Sequence, residues 1–183
     1  MICGIDEAGR GPVIGPLVVA GVTYNDDQLL IDNKIGDSKK YSPNRRIELA
    51  KIIKKSASNY EIIKISASDI DAMRKIMTIN EIEVNLFSEI INRLRPDMCY
   101  VDAADVNDSR FGKDIIKKLK FKTNIISKHK ADAIFPIVGA ASILAKTARD
   151  YEIYIISKKL QKKLNLPVGS GYPSDPITIN FLK

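Results

Sequence analysis

The sequence predicts an α/β fold, a mixed sheet with helices packed on it, within one domain covering residues 1–183. Short segments rich in Ile, Val and Tyr alternate with longer amphipathic segments, which is the pattern of strands followed by helices. The first two strands follow each other through a tight glycine-rich turn, which favours an antiparallel pair within a mixed sheet. With 45% apolar and 28% charged residues, the composition is that of an ordinary globular domain.

Five segments have the composition of strands and are bounded by turn-forming residues. They cover residues 2–6, 13–22, 60–66, 98–102 and 124–127. Because such domains carry their chemistry at strand ends and in the loops that follow, these boundaries are where we look for functional residues.

Four helices are expected between and after the strands. Pro43 follows an N-cap serine and opens a helix that runs to about residue 57. Thr78 and Glu81 have the spacing of a capping box for the next helix. The third covers residues 109–118, and the longest follows Asp132 and continues to about residue 163. The apolar stripe of this longest helix comprises Ile137, Ala141, Leu144, Ala148, Tyr151 and Ile155.

The net charge of +7 favours an anionic partner such as nucleic acid. The lysines are dispersed near predicted helix ends, where they equally complement helix dipoles, so charge alone does not identify the partner. The longest uncharged run, residues 11–25, is too short for a membrane span, and the N-terminus lacks a signal-peptide pattern. Cys3 and Cys99 match neither a metal site nor a disulfide framework. We therefore expect a cytoplasmic monomer with reduced core cysteines and no membrane partner.

Four acidic residues lie where strands end or a helix begins, namely Asp6, Glu7, Asp102 and Asp132. Carboxylates that converge at one edge of a sheet repel one another and favour a hard divalent cation, Mg²⁺ or Mn²⁺. Each acid also has a simpler structural interpretation. Asp132 could cap its helix. Asp102 and Asp105 could be turn formers, and the first pair could belong to a surface turn. The pattern alone leaves both interpretations open.

Six segments along the chain carry a more specific signal. They read GIDEAGRGPVIGPLVVA at residues 4–20, DSKK at 37–40, YVDAADVN at 100–107, HKADA at 129–133, AASILAK at 140–146 and GSGYPSDP at 169–176. In this order they resemble the type 2 ribonucleases H (ribonuclease HII), particularly the archaeal form. The resemblance spans essentially the whole chain and implies a ribonuclease H-like fold, with a mixed five-stranded sheet flanked by helices.

The resemblance also implies a metal-dependent endonuclease. Asp6, Glu7, Asp102 and Asp132 match the family's four catalytic metal ligands, which hold Mg²⁺ or Mn²⁺ against the scissile phosphate. In the implied two-metal scheme one ion readies a water for in-line attack and the other stabilises the departing 3′ oxygen. The implied substrates are the RNA strand of RNA–DNA hybrids and ribonucleotides embedded in duplex DNA. Cleavage on the 5′ side of the latter leaves 5′-phosphate and 3′-hydroxyl ends.

Two substrate-reading features are implied in the same way. Gly9, Arg10 and Gly11, here named the GRG loop, match the family's ribonucleotide-reading loop, in which glycines let backbone groups approach the 2′-hydroxyl. Tyr172 matches a tyrosine that stacks on the sugar after the ribonucleotide. The simpler alternatives are a flexible hairpin turn for the loop and a surface-packed turn residue for the tyrosine.

Further substrate contacts are expected along the longest helix. Ser142, Lys146 and Arg149 lie on one face of it, away from the apolar stripe, and we interpret Lys146 and Ser142 as phosphate contacts. The DSKK segment resembles a second substrate-side loop that places Lys39 on the nucleic-acid backbone. For the lysines the alternative is a solvated side chain, and His129 is assigned a structural rather than a catalytic role.

Three other classes of protein are alternatives to a ribonuclease HII. A type 3 ribonuclease H carries an additional N-terminal domain, whereas this chain begins at the first catalytic strand. A non-catalytic hybrid-binding module would lack one or more of the four acids, and a Rossmann-like domain would need its glycine-rich turn to lead into a helix. The resemblance implies further C-terminal helical sequence after the segment that ends at residue 183. Part of that tail is expected to be missing here, and a sliding-clamp partner, although possible, has no visible segment.

Overall fold

The computed structural model describes residues 1–183 and contains a five-stranded sheet with strand order β3-β2-β1-β4-β5. The strands are β1 (Ile2–Ala8), β2 (Leu17–Tyr24), β3 (Asn59–Ile65), β4 (Met98–Asp102) and β5 (Asn124–Lys128). Strand β2 is antiparallel to β1 and β3, whereas β1 with β4 and β4 with β5 form parallel pairs. The predicted mixed five-stranded sheet is confirmed.

Eight α-helices and one 3₁₀ turn connect the strands. They are α1 (Gln28–Asp32), the 3₁₀ turn (Ser38–Lys40), α2 (Pro43–Ser56), α3 (Ala67–Met73), α4 (Ile79–Leu94), α5 (Asp108–Ile116), α6 (Ala131–Ile134), α7 (Pro136–Leu164) and α8 (Pro176–Phe181). The predicted helices correspond to α2, α4, α5 and the pair α6–α7, while the short helices α1, α3 and α8 are not among the predictions. None of the helices has the length and apolarity needed to cross a membrane.

Phe135 separates the short helix α6 from the longest helix, α7. Phe135 has an extended conformation, with φ −113° and ψ 115°, because a proline disfavours helical geometry in the residue before it. Pro136 then occupies the start of α7, where its missing N–H would have had no helical partner. The longest helix does follow Asp132 and ends at Leu164, as predicted, but it begins only at Pro136, and Asp132 itself lies in the separate short helix α6.

Strand β2 begins at Leu17, later than predicted. The preceding residues leave the sheet because the amides of Val13 and Ile14 both donate to the carbonyl oxygen of Gly171, at 2.8 and 3.2 Å. Gly15 has φ +100°, a left-handed conformation that favours glycine. The loop before β2 is thus tied to the C-terminal part of the chain, a contact that strand composition does not indicate.

The sheet separates two apolar cores. One face of β1 and β2 packs against α2 and α7, and the other packs against α4 and α5. Alternation along β1 directs Gly4 and Asp6 towards α7 and directs Glu7 towards α4. Cys3 and Cys99 are register partners on the parallel strands β1 and β4, and both are buried and free, as the sequence predicts.

Helix α7 changes its buried face part of the way along. Tyr151, predicted in the apolar stripe, is 60% exposed, whereas Arg149, predicted on the face away from that stripe, is completely buried. Both predictions are wrong. The loop containing Gly15 and the turn containing Gly171 pack on the face of α7 that carries Arg149, so that face is covered as well.

Strand β1 and helix α7 are in direct backbone contact. A Cβ added at Gly4 would lie 2.2 Å from the carbonyl oxygen of Ile137, and one added at Gly139 would lie 2.6 Å from the Cα of Gly36. The missing side chains at Gly4 and Gly139 let the first turns of α7 lie against β1 and against the segment before the 3₁₀ turn. This contact sets how closely α7 crosses the sheet beside the ends of β1 and β4.

We expect Gly4→Ala to destabilise the protein by about 3 kcal/mol or more, the upper end of the usual cost of overpacking. The new methyl group would meet rigid backbone rather than a movable side chain. Urea unfolding followed by circular dichroism measures the change in the free energy of unfolding.

The matched control is Gly36→Ala, because a Cβ there meets no atom within 4 Å. It should change the free energy of unfolding by less than about 1 kcal/mol. Equal destabilisation of the two variants would contradict a close backbone contact at Gly4.

Candidate active site

Three carboxylates converge where the parallel strands end. One oxygen from each of Asp6, Asp102 and Asp132 lies within 4.8 Å of the others. Asp6 and Asp102 are near the C-terminal ends of the neighbouring strands β1 and β4, and the chain leaving β5 turns into α6, which carries Asp132. We name these three side chains the carboxylate cluster. The register of the parallel strands therefore brings together acids that are far apart in the sequence.

Burial and the proximity of other acids both disfavour the charged form of Asp6 and Asp102. Burial raises the pKa of Asp6 well above its usual value, and the charges of Glu7 and Asp102 raise it further. The nearby Ser142 hydroxyl partly opposes this rise. Burial also raises the pKa of Asp102, although its Oδ1 accepts a hydrogen bond from the amide of Ala131 at 3.3 Å. A divalent cation that binds oxygen would offset the repulsion, and the all-oxygen donor set fits Mg²⁺ or Mn²⁺ better than zinc.

Glu7, the fourth predicted ligand, is not one of the three acids whose oxygens meet, although its carboxyl group lies close enough to that of Asp6 for the two to interact. Its Oε2 atom is buried and has no hydrogen-bond partner. Burial and the charges of Glu83 and Asp102 raise the pKa of Glu7 to about 8, while Arg10 acts in the other direction. The structure thus brings three of the four predicted ligands together and leaves Glu7 beside them, within electrostatic range of Asp102.

The structure excludes the helix-cap interpretation for Asp132 and supports the turn interpretation for Asp105. Asp132 is not a helix cap, because Lys130 and Phe135 occupy the N-cap positions of α6 and α7 and no side chain makes a capping bond there. Asp105 is a turn residue that accepts from the amide of Asn107 at 2.9 Å. Its hydrogen bonds from Arg110 and this amide lower its pKa to about 2. Asp105 therefore lies outside the carboxylate cluster and has its own partners.

The GRG loop follows directly after β1. Gly9 has φ +95°, and a Cβ there would lie 2.3 Å from the carbonyl oxygen of Pro16, so the position requires glycine. A Cβ at Gly11, in contrast, would meet no atom within 4 Å. The first glycine is therefore required by the fold itself, whereas the second leaves open space beside the backbone.

The Arg10 side chain is anchored on helix α4. Its Nη2 donates to Asn80 Oδ1 at 2.6 Å, and its Nε lies 3.2 Å from Glu83 Oε1. Glu83 is completely buried, and the sequence analysis does not single it out. A signal was available, because Phe87 follows Glu83 at helical spacing and widens the apolar face of α4 to include position 83. The GRG loop is therefore held against α4 through its one long side chain.

Tyr172 lies against a buried arginine. The guanidinium carbon of Arg149 is 4.5 Å from the centroid of the Tyr172 ring. The Nη2 of Arg149 donates to the carbonyl oxygens of Ile14 and Ser170 at 3.3 and 3.2 Å. Burial lowers the pKa of Arg149. This side chain therefore joins the loop before β2 to the turn that carries Tyr172, a role that the sequence analysis missed.

Two other predicted substrate contacts lie around the carboxylate cluster. Ser142 is buried, and its hydroxyl donates to Ser38 Oγ at 2.9 Å. The charge of Lys39 reaches Asp102, where it partly opposes the rise in pKa caused by burial. His129 lies outside the cluster, with its Nε2 3.1 Å from a backbone carbonyl oxygen.

Lys146 takes part in a chain of ion pairs. Its Nζ donates to Asp150 Oδ1 at 2.8 Å and lies 5.8 Å from the centroid of the Tyr172 ring. The other oxygen of Asp150 accepts from Arg46 Nη2 at 3.0 Å, and Arg46 Nη1 donates to the carbonyl oxygen of Tyr41 at 2.7 Å. Asp150 and Arg46 therefore connect Lys146 to Tyr41, the residue after the DSKK segment, and neither was predicted as a site residue.

The chain is similar to known proteins along its whole length. A family model described as Ribonuclease HII matches residues 3–183. Ribonuclease HII of Methanosarcina barkeri is 49% identical over 192 residues, an alignment that covers 100% of this chain and 84% of that protein.

Solved structures show the same likeness. The RNase HII of Archaeoglobus fulgidus, solved as a complex with PCNA, is 43% identical with a TM-score of 0.92, over 100% of this chain and 85% of that one. The ribonuclease H2 of Pyrococcus horikoshii OT3 is 40% identical with a TM-score of 0.87, over 99% of this chain and 84% of that one. The protein therefore belongs to the ribonuclease HII family and is a metal-dependent hydrolase that acts on RNA.

Proposed function

We propose that this protein is an endonuclease that cuts the RNA strand of RNA–DNA hybrids and cleaves on the 5′ side of ribonucleotides embedded in duplex DNA. The products carry 5′-phosphate and 3′-hydroxyl ends. The observation that carries the proposal is the carboxylate cluster, in which oxygens from three acids approach within 4.8 Å. The GRG loop directly follows β1, so backbone able to approach a 2′-hydroxyl lies next to the candidate cation site. Membership of the ribonuclease HII family supports the same reaction.

Asp6, Asp102 and Asp132 would hold Mg²⁺ or Mn²⁺, with Glu7 as the fourth ligand. Two observations support this donor set: Asp6 and Asp132 are buried carboxylates, and the buried Oε2 of Glu7 has no partner in the protein. Two divalent ions, when bound, supply Lewis-acid activation of a water and of the departing oxygen. The chain itself holds the carboxylates on separate rigid elements, which limits their movement relative to the scissile phosphate.

The GRG loop and Tyr172 would read the ribonucleotide. The loop offers backbone amide and carbonyl groups beside glycines, where a 2′-hydroxyl can come close. Arg149, packed on the Tyr172 ring, holds the ring in one orientation for stacking on a sugar. Ser142 and Lys39 lie around the carboxylate cluster and would contact phosphates, and Lys146 would do so by exchanging its Asp150 partner for the substrate.

A sliding clamp is the protein partner that we propose. The support is the Archaeoglobus fulgidus RNase HII, which was solved as a complex with PCNA. Because the carboxylate cluster and the GRG loop both lie within this chain, we expect cleavage itself to proceed without the clamp.

We expect Asp102→Asn to lower hydrolysis of a hybrid at saturating Mg²⁺ by about a thousandfold or more, because an amide binds a divalent cation far less well than a carboxylate. The substitution also removes one of the repelling charges of the cluster, so the metal-free variant should melt at a higher temperature than wild type. Addition of Mn²⁺ should raise the melting temperature of wild type more than that of the variant. Single-turnover cleavage and calorimetry measure these effects.

The matched control is Asp105→Asn, because Asp105 follows the same strand but pairs with Arg110 outside the cluster. Loss of the charged hydrogen bond should lower the melting temperature, while the cleavage rate stays within about threefold of wild type. Near-normal turnover by Asp102→Asn would show that the cluster is not the metal site.

Binding of a hybrid should weaken steeply with salt, because lysines near the site would replace phosphate counterions. We expect Lys146→Ala to make the slope of log Kd against log salt concentration shallower by about one. Fluorescence anisotropy with chelator present measures binding without cleavage. Lys163→Ala, in the last turn of α7, is the control and should leave the slope unchanged. A wild-type slope near zero would exclude phosphate contacts as a main source of affinity.

Tyr172→Ala should slow cleavage at an isolated ribonucleotide by roughly 5- to 150-fold, which corresponds to a stacking contribution of about 1–3 kcal/mol. Long hybrids should be affected less, since neighbouring ribonucleotides offer the GRG loop alternative registers. Tyr172→Phe keeps the ring and should be the milder variant. Single-turnover cleavage of both substrates provides the comparison, and equal losses on both would mean that Tyr172 supports the fold instead of reading the junction.

A further inference from the structure

Helix α4 buries one acidic side chain beside the GRG loop. Glu83 is completely buried, and neither of its carboxylate oxygens has a hydrogen-bond partner. Its neighbours Ile82, Leu86 and Phe87 belong to the apolar core on this face of the sheet. Because removing an ionised carboxylate from water is costly, such a group requires a compensating cation.

Arg10 is the side chain that supplies this compensation. Its Nε lies 3.2 Å from Glu83 Oε1, and Arg10 is the basic residue that forms an ion pair with Glu83. Burial raises the pKa of Glu83 to about 7, and the charge of Arg10 opposes that rise. One turn earlier on the same face of α4, Asn80 Oδ1 accepts from Arg10 Nη2 at 2.6 Å. Two neighbouring residues of α4 therefore hold one edge of the guanidinium group.

This pairing restrains the GRG loop through its one long side chain. Arg10 stands between Gly9 and Gly11, and glycine is the residue with the greatest backbone freedom. A displacement of the loop would leave the Glu83 carboxylate buried without its cation, which is the expensive way to break a buried ion pair. The Arg10 side chain nevertheless remains 39% exposed, so part of the guanidinium group is still available to a ligand.

We propose that Glu83, assisted by Asn80, is a positioning residue that holds Arg10 and thereby fixes the GRG loop in the conformation that distinguishes a ribonucleotide from a deoxyribonucleotide. The inference rests on the proposed function, because reading the ribonucleotide is the role proposed there for the loop. Glu83 itself does not touch the nucleic acid. Its effect on selectivity passes through Arg10, and the two residues must therefore be energetically coupled.

The test measures binding selectivity with chelator present, so that no cleavage occurs. Fluorescence anisotropy gives Kd for a duplex with one ribonucleotide and for the same duplex made only of DNA. We expect Glu83→Leu to reduce the ratio of the two Kd values by about tenfold, a loss that corresponds to about 1.4 kcal/mol. We expect Arg10→Ala to reduce it equally, and the double variant Arg10→Ala with Glu83→Leu to be no worse than Arg10→Ala alone.

The melting temperature separates positioning from support of the fold. Glu83→Leu removes the buried member of the pair and leaves Arg10, whose side chain is 39% exposed, in contact with water, so the variant should lose selectivity without melting at a lower temperature. Glu83→Gln, which keeps the shape but removes the charge, provides a second variant should the leucine fail to fold, and we expect an intermediate loss. Glu89→Gln on the exposed side of α4 is the control and should bind as wild type does.

Two results would overturn the inference while the proposed function stands. One is unchanged selectivity in both Glu83 variants when the wild type binds and cleaves the ribonucleotide-containing duplex. The other is a double variant whose loss is the product of the two single losses, since this would mean that Glu83 acts independently of Arg10. A wild type that neither distinguishes the two duplexes nor cleaves with Mg²⁺ would instead contradict the proposed function.

Discussion

The backbone contact between β1 and α7 is the constraint on which the rest of the structure depends. At Gly4 the carbonyl oxygen of Ile137 lies where a Cβ would otherwise be, so the first turns of α7 rest directly on the central strand. Helix α6 immediately precedes those turns, and the contact therefore also determines where Asp132 lies relative to Asp6. Because a packed core does not deform continuously, acids from three separate elements keep a defined spacing.

That spacing has an energetic cost. Asp6, Glu7 and Asp102 all have a raised pKa in the folded protein. A group whose pKa is higher in the folded state contributes stability at low pH and loses it as the pH rises through the folded-state value. For Glu7 this loss develops between its ordinary value of 4.5 and its raised value of about 8. The fold thus tolerates repulsion at the position where a divalent cation would bind and relieve it.

Two buried charged side chains hold the loops on either side of this repulsive centre. Arg149 packs against the ring of Tyr172. It also lies against the backbone of the GRG loop, where a Cβ added at Gly9 would lie 2.8 Å from its Nε. On the other face of β1, Glu83 holds the guanidinium group of Arg10. In both cases a buried charged side chain contacts a glycine-rich loop. This contact restrains the loop although its glycines have no side chains with which to pack.

Local signals in the sequence determined where the main helices begin and which acidic residues are candidates for a metal site. The N-cap before Pro43 and the capping box of Thr78 are found in the structure because they involve residues within one helical turn. The motif pattern likewise identified the acids, although only the fold shows which three of them bring their oxygens together. The pairing of Glu83 with Arg10 and the burial of Arg149 were decided by tertiary structure alone, since the groups that contact these side chains come from distant parts of the chain.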